Sequence, residues 1–442
     1  MDRSGRKVRQ GLCADALFKL IRERCERLPD TRAVPVEISL ADALLSAFAM
    51  FSLKDPSLLA FDQRRQDPSD NFRTVYGIDR VPCDSQMRTI LDPVDPATLR
   101  PLFQDVFRCL QRGKALEPFV FLDGHYLVSL DGTTYFSSNK VHCSSCLEKH
   151  HRGGGVTWSH QILGATLVHP DRKEVIPLAP EPIINEDGHT KNDCERNATR
   201  RWLQHFRRDH PHLPVIVIED ALSANAPHLD DLRAARVRYI IGVKPGDHAF
   251  LFERLRANDE AGRTQLLAEV QTATGVLHHF RVHNGEPLNA SHPDCLVNVL
   301  EYWEVHPDGK LQYFSWITDF VLTPDNVYHI MRGGRSRWKI ENETFNTLKN
   351  QGYHMEHNYG HGEQHLSVVL MLMMMLAFLV DQTQQLCCPV FQAALEKLKS
   401  KRHLWDKIRA YFLAFVFDSM TELLTALVLG IAPQRPTLQN SS

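Results

Sequence analysis

The sequence predicts an α/β fold, and three observations carry that prediction. Between about residue 118 and residue 243, short strand-like runs alternate with helical stretches. One of them, Pro214-Val-Ile-Val-Ile218, is apolar throughout, as a parallel strand buried on both faces must be. The stretches on either side of this region carry helical periodicity instead.

The chain's 442 residues are enough for a large core and for two to four domains. Its 43% hydrophobic and 24% charged residues are those of an ordinary globular protein. Net charge is −2, with 51 basic against 53 acidic residues, so any nucleic-acid partner would have to meet a local basic surface. The 10 cysteines are scattered behind no recognisable signal peptide, which predicts free thiols and a cytoplasmic location.

From the N-terminus, residues 1–115 read as a helical region. Leu17, Leu20, Ile21 and Leu28 mark one amphipathic helix, Leu44, Phe48 and Phe51 another, and Asp84 is expected to cap a third. Residues 116–245 form the first part of an α/β core. Its expected elements are a strand Tyr126–Leu130 turning at Asp131–Thr134, strands Thr157–Val168 and Glu174–Leu178, and a helix Asp193–Asp209. A strand Pro214–Ile218, a helix His228–Arg236 and a strand Tyr239–Val243 complete it. Residues 246–330 read as a β-rich insertion, with strands Gly275–Val282, Val297–Val305 and Leu311–Ile317. His306-Pro-Asp-Gly309 joins the last two as a hairpin. Residues 331–362 return to the core, and 363–442 are helical, fraying after Pro433. The apolar run Leu366–Val380 is too short to span a bilayer, so it is expected as a buried core helix with no membrane partner.

The chemistry centres on a helix expected over Arg335–Asn350, set between Gly333-Gly334 and Gly352. Helical spacing puts Trp338, Glu341, Phe345 and Leu348 on one face, with Arg337 one turn before Glu341. An acid in an apolar stripe needs a cation. An Arg337–Glu341 ion pair is one answer, and a metal ion shared with other carboxylates is the other. Asp131 and Asp220 both follow strand-like runs, where open α/β sheets place their sites. Read separately, the three acids are a turn residue, a cap and an ion-pair partner. Read together, they are hard oxygen ligands for two divalent cations acting on a phosphodiester. Glu343, two residues from Glu341, should lie on the opposite, solvated face and pair with Lys339. Of the basic clusters, only Arg332–Lys339 adjoins these acids, which favours phosphate contact by Arg335 and Arg337. No nucleophile-elbow pattern is present.

Leu130-Asp-Gly-Thr133, Ile218-Glu-Asp220 and Arg337-Trp-Lys-Ile-Glu341 resemble the three signatures of DDE transposases. The nearest type is the insertion-sequence-four-like class of bacterial insertion sequences, which carries a β-rich insertion before the Glu. The resemblance covers roughly residues 120–362. It implies a ribonuclease-H-like core in which Asp131, Asp220 and Glu341 are catalytic and hold two Mg2+ ions, replaceable by Mn2+. It also implies double-stranded DNA (element ends and target) as partner, a homodimer once ends are paired, and an aromatic at Trp316 that stacks on a flipped base. A core tryptophan is the alternative at that position. The family's Tyr-x2-Arg-x3-Glu-x6-Lys pattern is broken twice: Gly334 stands at the Tyr position, and the lysine comes one residue late, at Lys349. A nuclease of the same fold without strand transfer, or a DNA-binding module, is the alternative function.

His142-Cys-Ser-Ser-Cys146 is followed by His150, His151 and His160. Cys143, Cys146, His150 and His160 could make a tetrahedral structural zinc site, and a loop with free thiols is the other reading.

Overall fold

The computed structural model describes residues 11–32, 36–67, 70–185, 191–271 and 273–431. The tail expected to fray after Pro433 lies outside them. Eleven strands make one mixed sheet: β1 (Tyr126–Ser138), β2 (Leu147–His150), β3 (Val156–Val168), β4 (Ile176–Pro177), β5 (Glu181–Ile183), β6 (Val215–Glu219), β7 (Arg238–Gly242), β8 (Gln265–Gln271), β9 (Val276–Asn289), β10 (His292–Val305) and β11 (Leu311–Thr318). Their order is β2-β3-β1-β6-β7-β11-β10-β9-β8, with β4 and β5 also on β3. Only β1–β6 and β6–β7 are parallel. Those pairs need crossovers, supplied by helices α7 (Lys191–Asp209) and α8 (Ala226–Ala234), and β6 is buried along its whole length.

Several elements differ from expectation. β1 does not turn at Asp131–Thr134. It runs on to Ser138 because β3 pairs with it throughout, with one irregularity between Thr134 and Phe136. The strand expected at Glu174–Leu178 shrinks to β4. The insertion forms no sheet of its own, since β11 hydrogen-bonds to β7 and extends the core sheet. It also contains a helix, α9 (Ala249–Glu260), and the strand β8, neither of which periodicity singled out. The hairpin at Gly309 is as expected, with its φ at +83°.

The helices at both ends of the chain make one body. The N-terminal set is α1 (Ala14–Cys25), α2 (Leu40–Ser52), α3 (Leu58–Arg65), α4 (Asn71–Tyr76), α5 (Asp84–Leu91) and α6 (Arg100–Arg112). After the core come α10 (Val327–Arg335), α11 (Asn346–Asn350), α12 (Leu366–Cys387), α13 (Pro389–Leu398), α14 (Lys401–Ala414) and α15 (Met420–Leu429). The residue before α5 is Cys83, whose N–H donates to Gln86, so Asp84 is the first helical residue and not the cap. Asp15 accepts the Met420 and Thr421 N–H groups at the start of α15, and Asn71 donates to the Phe412 and Phe415 carbonyls.

At the centre lies α12, 22 residues long and therefore longer than the apolar run suggested. By length and composition it could cross a membrane, yet its most apolar window is fully buried inside the protein. Each large apolar side chain it buries contributes about 1.5–3 kcal/mol. One charge is sealed in with it. Lys54, in the left-handed conformation after α2, turns its Nζ back to the Phe51 and Ser52 carbonyls (3.0 Å each) and to Asp381 of α12 (2.6 Å).

Candidate active site

Register brings the first two acids together. Parallel pairing of β1 with β6 runs from Tyr126 opposite Val215 to Ser129 opposite Ile218. Two residues beyond that last pair come Asp131 and Asp220, near enough for the Asp220 charge to act on the Asp131 carboxyl. Alternation along β1 then puts Leu127, Ser129 and Asp131 on one face.

A helical segment crosses that face in step with it. Gly333 lies on Leu127 and Ile240, Ser129 donates to the Arg337 carbonyl at 3.1 Å, and Arg337 reaches Asp131 at 3.4 Å. Arg337 also holds Glu341, one turn on, at 2.9 Å. The two glycines expected to precede the helix are inside α10, since they let the backbone approach closely. A Cβ at Gly334 would come within 2.4 Å of Trp316 Nε1, and one at Gly164, opposite Asp131, within 2.8 Å of Phe345.

The segment is not a continuous α-helix. Between α10 and α11, Ile340–Phe345 forms a π-helical turn, which adds one residue to the turn and rotates the residues beyond it. The apolar stripe is therefore Ile340, Thr344, Phe345, Thr347 and Leu348, all buried. Trp338, expected on that stripe, is 52% exposed and stacks on the Arg337 guanidinium at 4.6 Å. Glu343 is half-buried, and its charge reaches Lys401, whose ammonium burial disfavours and which Asp381 and, less, Glu343 favour. The expected Lys339–Glu343 pair does not form, because Lys339 donates to the Arg172 carbonyl at 2.6 Å.

Asp220 follows β6 and accepts the Leu222 N–H at 3.0 Å, so one of its oxygens caps a short turn. Its neighbour Glu219 faces the other way and is buried on His228 Nε2 at 2.6 Å. A fourth acid arrives from α7. Glu195 Oε1 lies against Gly132, where a Cβ would sit 2.6 Å from it. No local spacing ties a mid-helix glutamate to Asp131, and sequence reasoning did not find it.

Burial pushes the Asp131 carboxyl up to about 7. Arg337 opposes this, while Glu341, Glu195 and Asp220 reinforce it. One guanidinium thus stands among several acids, and the surplus negative charge is what a divalent cation would relieve. The donor set is all hard oxygen, which fits Mg2+ or Mn2+. The acids do not close into a single-ion cage. Among the described residues, the one group with all ligand atoms within 4.8 Å of one another is Cys143, Cys146, His160 and His361.

The remaining expected site residues divide. Lys349 pairs with Glu356 at 2.8 Å and, with Gly132, Thr133 and Thr134, lines a cleft of about 410 Å3 beside the acids. Arg335 turns away to Glu304 of β10 and lies over the Phe314 ring at 4.8 Å. Trp316 is 5% exposed and packs in parallel on Phe314 and against Gly334, the core alternative rather than a surface ready to stack on a base. His150 is not in the cysteine cluster. Its side chain is 72% exposed and pairs with Glu148, and His361, 215 positions beyond Cys146, takes its place.

None of the curated proteins compared with this chain matches it. Residues 178–379, a stretch that takes in Asp220 and Glu341 and begins beyond Asp131, match the family described as Transposase DDE domain.

Proposed function

We propose that this protein is a cut-and-paste transposase of the insertion-sequence-four-like class. It would cleave DNA strands at the ends of a mobile element and join the freed 3′-hydroxyl to another strand. The observation that carries this reading is that Arg337 bonds both Asp131 and Glu341 while Asp220 and Glu341 bear on the Asp131 carboxyl, with Asp220 and Glu341 inside a stretch that matches a transposase DDE domain. Asp131, Asp220 and Glu341 would hold two Mg2+ or Mn2+ ions, whose chemistry is to acidify a bound water or hydroxyl and to neutralise charge on the phosphate under attack.

The chain's own groups prepare that site. Ser129 fixes the backbone under Arg337, and Arg337 holds Glu341 and Asp131 in place. Lys349 opens onto the cleft beside them and supplies a cation for the DNA backbone. Glu341 lies within the π-helical turn, which ends before Lys349, and the extra residue of that turn would account for a lysine at 349 serving where the family spacing calls for 348. The ribonuclease-H-like core would be the sheet from β3 through β1 and β6 to β7 with the segment bearing Glu341, in 116–245 and 331–362. Residues 246–330 would be the insertion, and 1–115 and 363–442 helical regions. Element ends and target are the DNA partners, a homodimer is the paired form, and the cytoplasm is the compartment.

The test is a purified chain incubated with Mg2+ and duplexes carrying the ends of its element. Metal-dependent nicking followed by joined products is expected. Cleavage without joining would leave a nuclease, and binding without either would leave a DNA-binding module.

A further inference from the structure

We infer that Cys143, Cys146, His160 and His361 bind one structural zinc ion. The proposal rests on their own geometry and not on the transposase reading. Zinc holds sulfur at about 2.3 Å and imidazole nitrogen at about 2.0–2.1 Å at the corners of a tetrahedron, so its ligands must lie about 3.8 Å apart for S···S and about 3.5 Å for S···N. Here the Cys143 and Cys146 sulfurs are 3.8 Å apart. His160 Nε2 lies 3.4 Å from Cys143 and 3.6 Å from Cys146, and His361 Nε2 lies 3.6 Å from Cys146.

Other readings fit less well. A disulfide needs its sulfurs at about 2.05 Å, little more than half the separation seen. Thiols and rings brought together only by packing would have no reason to aim four donor atoms at one point. The His361 ring points its Nε2 at the cluster while its buried Nδ1 meets no partner, so contact with Phe136 (4.5 Å between centroids) and the cluster itself orient it. The Cys143 N–H donates to the Cys146 sulfur at 3.4 Å, a bond suited to a thiolate.

The ligands come from three places: the turn between β1 and β2, the middle of β3, and the segment between α11 and α12. His160 sits opposite Phe136, where the β1 register shifts, so the irregularity in β1 opens onto the metal position. All four corners are protein atoms and three of the residues are buried, which leaves no open position for catalysis. The ion would tie the hairpin that carries Asp131 to the chain just after the Glu341 turn, joining segments 215 positions apart at Cys146 and His361.

The experiment is elemental analysis of the full chain purified in reducing buffer without added zinc. One zinc per chain is expected, kept in Asp131→Ala and His150→Ala and lost in His361→Ala and Cys143→Ser. In case the ligand variants fail to fold, cobalt is exchanged into the parent protein, which should then show tetrahedral d–d bands with thiolate charge transfer. No zinc bound even after equimolar zinc is supplied would overturn the proposal, as would a cobalt spectrum without thiolate bands. A count of eight free thiols among the 10 cysteines in denaturant, pointing to a Cys143–Cys146 disulfide, would overturn it as well.

Discussion

Two buried charge clusters in this protein differ in balance. Around Lys54 everything is matched. Its ammonium meets one carboxylate, Asp381, and two carbonyls, and lies 4.1 Å from the Tyr353 and Trp405 rings, while the Tyr353 hydroxyl donates to the same Asp381. Around Arg337 the described residues are less evenly balanced: its guanidinium faces both Asp131 and Glu341, and Glu341, Glu195 and Asp220 all add to the burden on Asp131. The first cluster is complete with protein atoms alone, as a structural pin must be. The second carries an excess of hard anionic oxygen beside an open cleft, which makes it a place to put a cation and a phosphate.

The comparison is broken most directly at the second cluster. Asp131→Ala, Asp220→Ala or Glu341→Gln should each reduce metal-dependent strand cleavage at least about 1,000-fold, equivalent to some 4 kcal/mol of transition-state stabilisation. Glu343→Gln should stay within a few-fold, because that side chain is not among the groups that bear on Asp131. Binding of end-containing DNA, followed by gel shift, should survive in all four. Substantial cleavage by Asp131→Ala would remove the second cluster from the chemistry.

At the first cluster the loss should appear in stability instead. Lys54→Met leaves Asp381 buried without its cation and should cost about 3–5 kcal/mol in denaturant unfolding. The double replacement with Asp381→Asn should recover much of that. Cleavage per folded molecule should not change, and a specific catalytic defect would mean that the two clusters are not separate.

Titration sharpens the contrast. Asp131 has a folded pKa of about 7, above the ordinary carboxylate value near 3.8. The folded state therefore holds this proton more tightly, and its share of stability declines as pH rises from about 4 through about 7. A cation needs the carboxylate ionised, so metal affinity should rise with pH by up to about tenfold per unit and level off above about 7. Glu195→Gln removes one of the groups that raise this pKa and should shift the levelling point downward. Calorimetric titration with Mn2+ over that range would show it, and a flat profile would disconnect Asp131 from the metal.

The two tryptophans beside the second cluster should differ in the same way. Trp316→Ala should destabilise the fold by about 3–5 kcal/mol, as for a large core side chain. Trp338→Ala, at an exposed position, should stay within about 0.5 kcal/mol in the same denaturation experiment. Equal losses would mean that Trp338 is packed after all.

Much of the site is legible in the amino-acid sequence. The apolar run that became β6 and the acid following it, the i, i+4 spacing of Arg337 and Glu341, and the Cys-x2-Cys pair are all local patterns. What failed was whatever depended on a change of period or on a distant return of the chain. A regular helix would place Trp338 in the core, but the chain breaks into a turn at Ser336–Arg337 and changes period from Ile340 on, and Trp338 is exposed. Gly333-Gly334 has the pattern of a helix start, whereas both glycines lie inside α10, in contact with Ile240 and Trp316.

Which residues share a strand or a helical turn follows from local pattern, because side-chain direction within an element is set by backbone periodicity alone. Tertiary packing is what brings the Asp220 charge to bear on Asp131, sets Glu195 of α7 against Gly132, and puts His361 in place of His150 beside the two cysteines. Those choices depend on strand register and on where a distant chain segment packs back. Such pairings are settled by the burial of whole elements, and no short pattern in the sequence records them.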